Sequence, residues 1–403
     1  MNTYEDRLSY QYRSQVLDEL GVRSWINARN WSSDIGGNWI DQRVLQAMNE
    51  VSQTFVDMHE LIEKADAKIA ALCRVSEAHI TTGAGGAIEL AVAGCMAGDD
   101  FGKWNDLPDT ASIGNEVILH RGHYINYTSQ WKASGAKLVE YGISGTLKSS
   151  EKELKAAISE RTCCIAYTFS YNNVPRGILP FHEIVEIAKE FDLPVIVDAA
   201  SELPPVENLW EFIEAGADLV CFSGGKAIKA PNNTGFLLGS KKKGKQIIKS
   251  IRKYCYPNHG WNRGHKISKE QIVGLTKALE IFVVEGNGYY EKQLALAEFI
   301  CGELQFIENL DVSIIKNDAT SYEHAMMPHV PRVLLAWSKD NIGLGASDLD
   351  KWMAVEDPPV FLRNTYYHNY YKDVEWRLID TYFLRSPEER IIVDRIKRFF
   401  KGI

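Results

Sequence analysis

Lys226 closes the stretch DLVCFSGGK (218–226), in which Leu219, Val220, Cys221 and Phe222 read as the interior of a sheet. Gly224-Gly225 then allow a tight turn and a close backbone approach. A lysine at a strand end of an open α/β sheet sits where ligands bind. In a dry, enclosed site its amine loses basicity and can form a Schiff base with an aldehyde. Earlier in the chain Asp198 finishes the apolar strand of LPVIVDAASELPP. A carboxylate there is costly unless it meets a cation or a protonated ring nitrogen, or caps a helix. Earlier still, TTGAGGA (81–87) joins a strand, a glycine turn and a helix start, whose N–H groups and dipole seat a phosphate. The same glycines would also serve close helix–sheet packing. Phosphate seat, aspartate and lysine in this order are what pyridoxal phosphate requires: an anchor, a carboxylate that keeps the pyridine nitrogen protonated, and an amine for the aldehyde. Ser223 can add a hydroxyl to the phosphate.

These residues need a scaffold, and the surrounding pattern supplies one. Strand signals at EVILH (116–120), KLVEY (137–141), CCIAYTF (163–169), LPVIVDAA (193–200), DLVCFSG and GFLLGS (235–240) are interleaved with helical segments, including FHEIVEIAKEF (181–191) and a polar-aromatic NYTSQWKASG. Short Val/Ile-rich strands separated by helices call for an α/β fold with a mainly parallel sheet covered on both faces. Val44, Leu45, Met48, Val51, Phe55, Met58, Ile62, Ala65 and Ile69 are spaced as on one long helix, lying across a domain or a dimer partner. SKEQ (268–271) reads as a capping box ahead of a helix bearing Ile272, Leu275, Leu279 and Val283. A helix near Leu294–Leu304, strand-like VSIIK and RVLLAW, and a closing helix through Ile391 and Ile396 complete a smaller α+β domain. The division expected is a large cofactor-binding domain at 51–255 and a small domain at 256–403, with 1–50 packing on the small one.

The composition, 45% hydrophobic and 24% charged, is that of an ordinary globular chain. A net charge of -8 argues against a broad nucleic-acid surface. The run KKKGKQIIKSIRK (241–253) reads as a solvated helix face or a local basic patch. Seven cysteines lack paired metal spacing, so no metal site is expected, and a reduced compartment is the simplest inference. With no signal-peptide pattern in MNTYEDRLSYQYRS and no membrane-length apolar run, the cytoplasm is the expected location.

The blocks ITTGAGGAIELA, VIVDAASELPP, ADLVCFSGGKAIKAPNNTGFLLG and GHKISKEQIVGLTKALE resemble the fold-type I pyridoxal phosphate enzymes with an aspartate aminotransferase-like large domain. Within them the likeness is to the branch of bacterial selenocysteine synthase and D-glucosaminate-6-phosphate ammonia lyase, from about Gly36 to Arg385. The resemblance implies that Lys226 is the Schiff-base lysine and Asp198 the pyridinium partner. Gly85, Gly86, Ala87, Ser201 and Ser223 match cofactor-binding positions, and His123 matches the residue stacked on the ring face. Asn172 or Asn173 would lie near the ring hydroxyl, although an asparagine pair before proline is also ordinary turn chemistry. Arg363 and Arg385 are candidates to clamp a substrate carboxylate, or else structural ion pairs. Thr234 is a candidate to reach across a homodimer or higher homo-oligomer. Ala230-Pro231-Asn232 stands where the family often has Gly-Pro-Gln. The segment before residue 43 looks too short for a tRNA-reading domain, which argues against a tRNA partner.

A lyase acting on a small amino acid is the first expectation, with Lys226 removing the α-proton before a β-group or ammonia leaves. An aminotransferase, racemase, aldolase or β-replacement transferase remains open on the same scaffold, as does a non-catalytic binding protein. The aromatic residues of VFLRNTYYHNYYKD (360–373) suggest a lid or an interface.

Overall fold

Between Asn38 and Asn287 the short apolar runs assemble into one seven-stranded sheet. The computed structural model describes residues 14–142, 149–170, 177–316, 330–364 and 374–401. In chain order the strands of this sheet are β1 (Glu77–Thr81), β2 (Glu116–His120), β3 (Lys137–Tyr141), β4 (Thr162–Thr168), β5 (Val195–Asp198), β6 (Leu219–Ser223) and β7 (Gly235–Gly239). They lie side by side in the order β1-β7-β6-β5-β4-β2-β3. Strand β7 is antiparallel to both its neighbours, and the remaining pairs are parallel.

Both faces of the sheet are buried, which is why its strands read as continuous apolar runs rather than as alternations. On β6, Leu219 and Cys221 join the core formed with the helices Gly83–Ala97 and Lys241–Tyr254. Phe222 points the other way, 6.2 Å from Phe212 of the helix Asn208–Glu214 and stacked at 5.5 Å on Phe236. Close packing of the two helices requires Gly94, since a Cβ there would meet Ile247 Cγ2 at 2.6 Å. The basic run lies on the helix Lys241–Tyr254, with Ile247, Ile248 and Ile251 buried and Lys243 and Lys253 paired to Asp192 and Asp99. It is an amphipathic helix over the sheet.

Three expectations differ from the structure. The single long helix is two, Gln42–Ser52 and Met58–Leu72, because Asp57 starts a new one by accepting the His59 and Glu60 N–H groups. The segment NYTSQWKASG forms only a 3₁₀ turn, Thr128–Lys132, with the Thr128 hydroxyl accepting the Ile125 N–H at 2.8 Å. The domain boundary expected at 255 falls at 287, and residues 38–50, expected to pack with the small domain, belong to the sheet-containing unit. The helix Lys269–Glu285, opened by the reciprocal capping box of Ser268 and Gln271, packs on Gln42–Ser52 and Met58–Leu72 and so belongs to the sheet-containing unit.

The second unit contains the described residues up to Gly37, those from Gly288 to 316 and those from 330 onward. Its sheet places Arg332–Trp337 between Glu375–Asp380 and Asp311–Ile315, all antiparallel. A short parallel pair, Ile26–Ala28 with Val360–Leu362, joins the early residues to this unit. Among the described residues no helix is long and apolar enough to cross a membrane.

Candidate active site

The sheet brings separate sequence blocks to one edge. Register pairs Thr168 with Asp198 and Asp198 with Cys221, so the carboxylate stands at the C-terminal ends of adjacent parallel strands. Ser223, the last residue of β6, pairs with Gly235, which in turn pairs with Thr81. This is the crevice in which open α/β sheets take ligands.

At its β1 side the helix Gly83–Ala97 begins with no side-chain cap from Thr82, so the first amides have no partner within the helix. The glycines therefore form the helix's first turn instead of a loop before it. Gly85 is among the open positions, and Gly86 lies one residue deeper. Ala87 is packed into the core, so only its backbone can serve a ligand. Gly235 permits the approach of β7 to this turn, because a Cβ there would fall 2.3 Å from the carbonyl carbon of Gly83.

Asp198 is buried, and among the described residues the one hydrogen bond to its carboxylate comes from the Ala200 N–H at 3.0 Å. Burial pushes its carboxyl above the ordinary range, while the Ala200 amide and the Lys226 charge oppose that shift. Half-buried Lys226 is shifted the other way: burial lowers its pKa, and the charges of Asp198 and Glu202 partly restore it. Glu202 is fully buried and accepts the Ser201 hydroxyl at 2.8 Å.

His123 is buried, with its Nδ1 3.5 Å from the Thr168 amide and its ring edge-on to Tyr167 at 4.4 Å. Burial lowers its pKa to about 3, helped by neighbouring His120, and the imidazole is neutral. His120 is itself lowered to about 4 by burial; it accepts the Gly122 N–H at Nδ1 and meets the Ser149 hydroxyl through Nε2 at 2.6 Å.

The structure thus brings together Lys226, Asp198, Ser223, Ser201, His123 and the first turn at Gly83–Gly86. Asn172 and Asn173 lie outside the described residues, as does most of the aromatic segment 360–373. Thr234 corrects an expectation: it is fully buried and its hydroxyl donates to its own chain's Pro231 carbonyl at 2.7 Å, so it is not placed to reach a partner. In the second unit Arg363 is fully buried beside Asp380 at 3.4 Å, and Asp380 also holds Arg332 at 2.8 Å. Arg385 is more exposed, 3.7 Å from Glu388. The sequence reading missed Glu202, Gln130 and Asn38. Gln130 lies under Gly85, where a Cβ would meet its Oε1 at 3.2 Å, and Asn38 bonds the lysine turn directly. Glu202 sits inside the VIVDAASELPP block four residues after Asp198, whereas Gln130 and Asn38 belong to no motif and reach the site only by folding.

A buried carboxylate with a single amide partner, a lysine of lowered basicity and an uncapped helix start are the donors and acceptors that pyridoxal phosphate needs, and the residues fit that group. The site and sheet order define a fold-type I pyridoxal phosphate-dependent enzyme. A model of the aminotransferase class-V family matches residues 41–322, and the chain belongs to that family. It is 28% identical to D-glucosaminate-6-phosphate ammonia lyase of Salmonella typhimurium, over 88% of this chain and 90% of that protein. A solved structure of D-glucosaminate-6-phosphate ammonia-lyase is similar with a TM-score of 0.79 and 27% identity, covering 96% of this chain and 99% of the other. A 5'-C-glycyluridine monooxygenase-decarboxylase of Streptomyces is 30% identical over 94% of this chain and 90% of its own length. L-seryl-tRNA(Sec) selenium transferase of Mannheimia succiniciproducens is 29% identical over 48% of this chain and 43% of its own. The cofactor is pyridoxal phosphate.

Proposed function

We propose that this protein is a lyase that acts on a small amino acid, removing the α-proton and releasing a β-substituent or ammonia. The observation that carries the reading is Lys226: a half-buried amine whose basicity is lowered by burial, within reach of the charges of Asp198 and Glu202. When bound, the cofactor supplies an electron sink that stabilises negative charge at the substrate α-carbon. The open amides at Gly83–Gly85 and the Ser223 hydroxyl would hold its phosphate, and Asp198 would keep its ring nitrogen protonated. Neutral His123 would lie beside the ring without adding a charge that opposes that proton. Lys226 Nζ, its basicity lowered by burial, accepts the α-proton and can return it to a leaving group. Of the two arginines expected to take a substrate carboxylate, Arg385 is the more exposed and Arg363 is buried against Asp380.

The ammonia lyase similar over nearly the whole chain supports elimination. The monooxygenase-decarboxylase, similar over a comparable length, favours a second reading in which the substrate carboxylate leaves as carbon dioxide. Borohydride reduction with pyridoxal phosphate and peptide mapping tests the lysine: label is expected on Lys226. A panel of L- and D-amino acids, scored for ammonia, keto acid, carbon dioxide and oxygen uptake, then separates the two reactions. Carbon dioxide release with oxygen uptake and no elimination product would replace the lyase reading. A cytoplasmic homodimer completes the proposal, and light scattering that found only a monomer would refute the dimer.

A further inference from the structure

The turn that carries Lys226 is held by a segment far away in sequence. A single side-chain amide, Asn38 Nδ2, donates to the Gly225 carbonyl at 2.7 Å and to the Ala230 carbonyl at 2.9 Å. These carbonyls flank residues 226–229, so both amide protons bracket the lysine. Within the turn the Lys229 N–H bonds the Lys226 carbonyl at 3.0 Å and the Ala230 N–H bonds the Gly224 carbonyl at 3.0 Å. The next residue in the segment, Trp39, places its ring 4.0 Å from the Lys229 ammonium. Lys229 is buried and has a φ of 61°, a left-handed conformation that is unfavourable for a side-chain-bearing residue and natural for glycine. The Lys229 ammonium lies on Trp39, where a cation–π contact ties the segment to the turn.

We propose that Asn38 is a positioning residue for Lys226, and that the Lys229–Trp39 contact locks the same segment over the turn. The strap fixes the turn that carries the Lys226 amine through the carbonyls on either side of it. This inference rests on the reading of Lys226 as the reactive lysine, but its test does not need the cofactor.

In the apoprotein, the rate at which an amine-reactive acylating reagent labels Lys226 is followed against pH by peptide mass mapping. For Asn38→Ala the turn opens to water, and the midpoint of Lys226 labelling rises by about one pH unit or more towards the ordinary lysine value. Asn38→Ser, which retains one donor, restores part of the shift. Lys229→Gly separates positioning from stability: it relieves the left-handed strain, so the melting temperature holds or rises, while the labelling midpoint still moves up. In the holoenzyme Asn38→Ala lowers kcat by roughly 10-fold or more with KM changed less, the expected result when a positioned group rather than binding is lost. An unchanged labelling midpoint in Asn38→Ala and Lys229→Gly, with only the melting temperature affected, would overturn the proposal. If the wild-type lysine labels with a lowered midpoint that the variants raise, yet borohydride places no cofactor on Lys226, the strap stands and the cofactor assignment falls.

Discussion

Replacing Asp198 by Asn tests the electrostatics of the site with almost no change in shape. In the wild-type apoprotein the carboxyl is buried with one amide partner and its pKa is raised. Its contribution to stability is therefore fully present below the unfolded value of about 3.9 and is lost as pH rises through the higher folded value. Above that folded value the ionised Asp198 destabilises the apoprotein. The asparagine keeps an oxygen for the Ala200 N–H but carries no charge, so the Asp198→Asn apoprotein should melt at the same temperature as wild type or higher. On the proposed assignment the cofactor should reverse this order, because its protonated ring nitrogen would pair with Asp198. Losing that charge-assisted hydrogen bond is worth about 1.5–3 kcal/mol, or roughly 10- to 150-fold in cofactor affinity. At about 2–4 °C per kcal/mol for a unit of this size, the melting-temperature rise on adding pyridoxal phosphate should shrink by ~3–12 °C. Differential scanning fluorimetry at neutral pH, with and without cofactor, reads both effects. A less stable apoprotein, or an undiminished cofactor-induced rise, would refute the assignment of Asp198 as the ring-nitrogen partner.

The other predictions concern the same crevice and the arginines. Lys226→Ala should abolish the borohydride label and lower turnover by about 10²-fold or more, the usual worth of a positioned general base; full activity in this variant would assign the proton transfer elsewhere. Gly235→Ala forces a Cβ to within 2.3 Å of the Gly83 backbone, so the helix start must shift; destabilisation of about 1–3 kcal/mol and weaker cofactor binding are expected in denaturant melts and titrations. Since burial holds His123 neutral with a pKa of about 3, His123→Phe should leave the shape of the pH–rate profile between about pH 5 and 8 unchanged, and loss of a limb would show that the histidine titrates in turnover. Arg385→Ala, at a more exposed site, should remain folded and raise KM if it holds the substrate carboxylate. Arg363→Ala opens a fully buried pair with Asp380 and should lower the melting temperature whether or not it also raises KM.

Much of the fold could be read directly because the physics was local. Strands β2 and β3 begin and end where EVILH and KLVEY do, since apolar β-branched residues bounded by turn residues form strands in place. The Ser268–Gln271 capping box is equally local: donor and acceptor lie three residues apart on one chain. What was misread depended on competition or on distance. The apolar spacing from Val44 to Ile69 fits one helix, but Asp57 offers the next helix two N–H bonds and ends that pattern. NYTSQWKASG reads as a helix, but the Thr128 hydroxyl takes the Ile125 N–H and the segment closes as a 3₁₀ turn.

The division is sharpest at the active site. The identities of Lys226 and Asp198, their places at the ends of apolar strands and the glycines at 83–86 were set by the sequence alone, because strand ends and helix starts are local properties of the chain. The tertiary structure decided which groups would face them. Sheet order placed Asp198 between Thr168 and Cys221, and burial moved the two key pKa values towards neutral pH from opposite sides. It also brought Glu202 within range of the lysine charge and turned Thr234 inward to Pro231. Asn38 came to bracket the lysine turn from across 187 residues of chain. Desolvation and long-range hydrogen bonds belong to the packed interior, and no spacing along the chain encodes them until that interior exists.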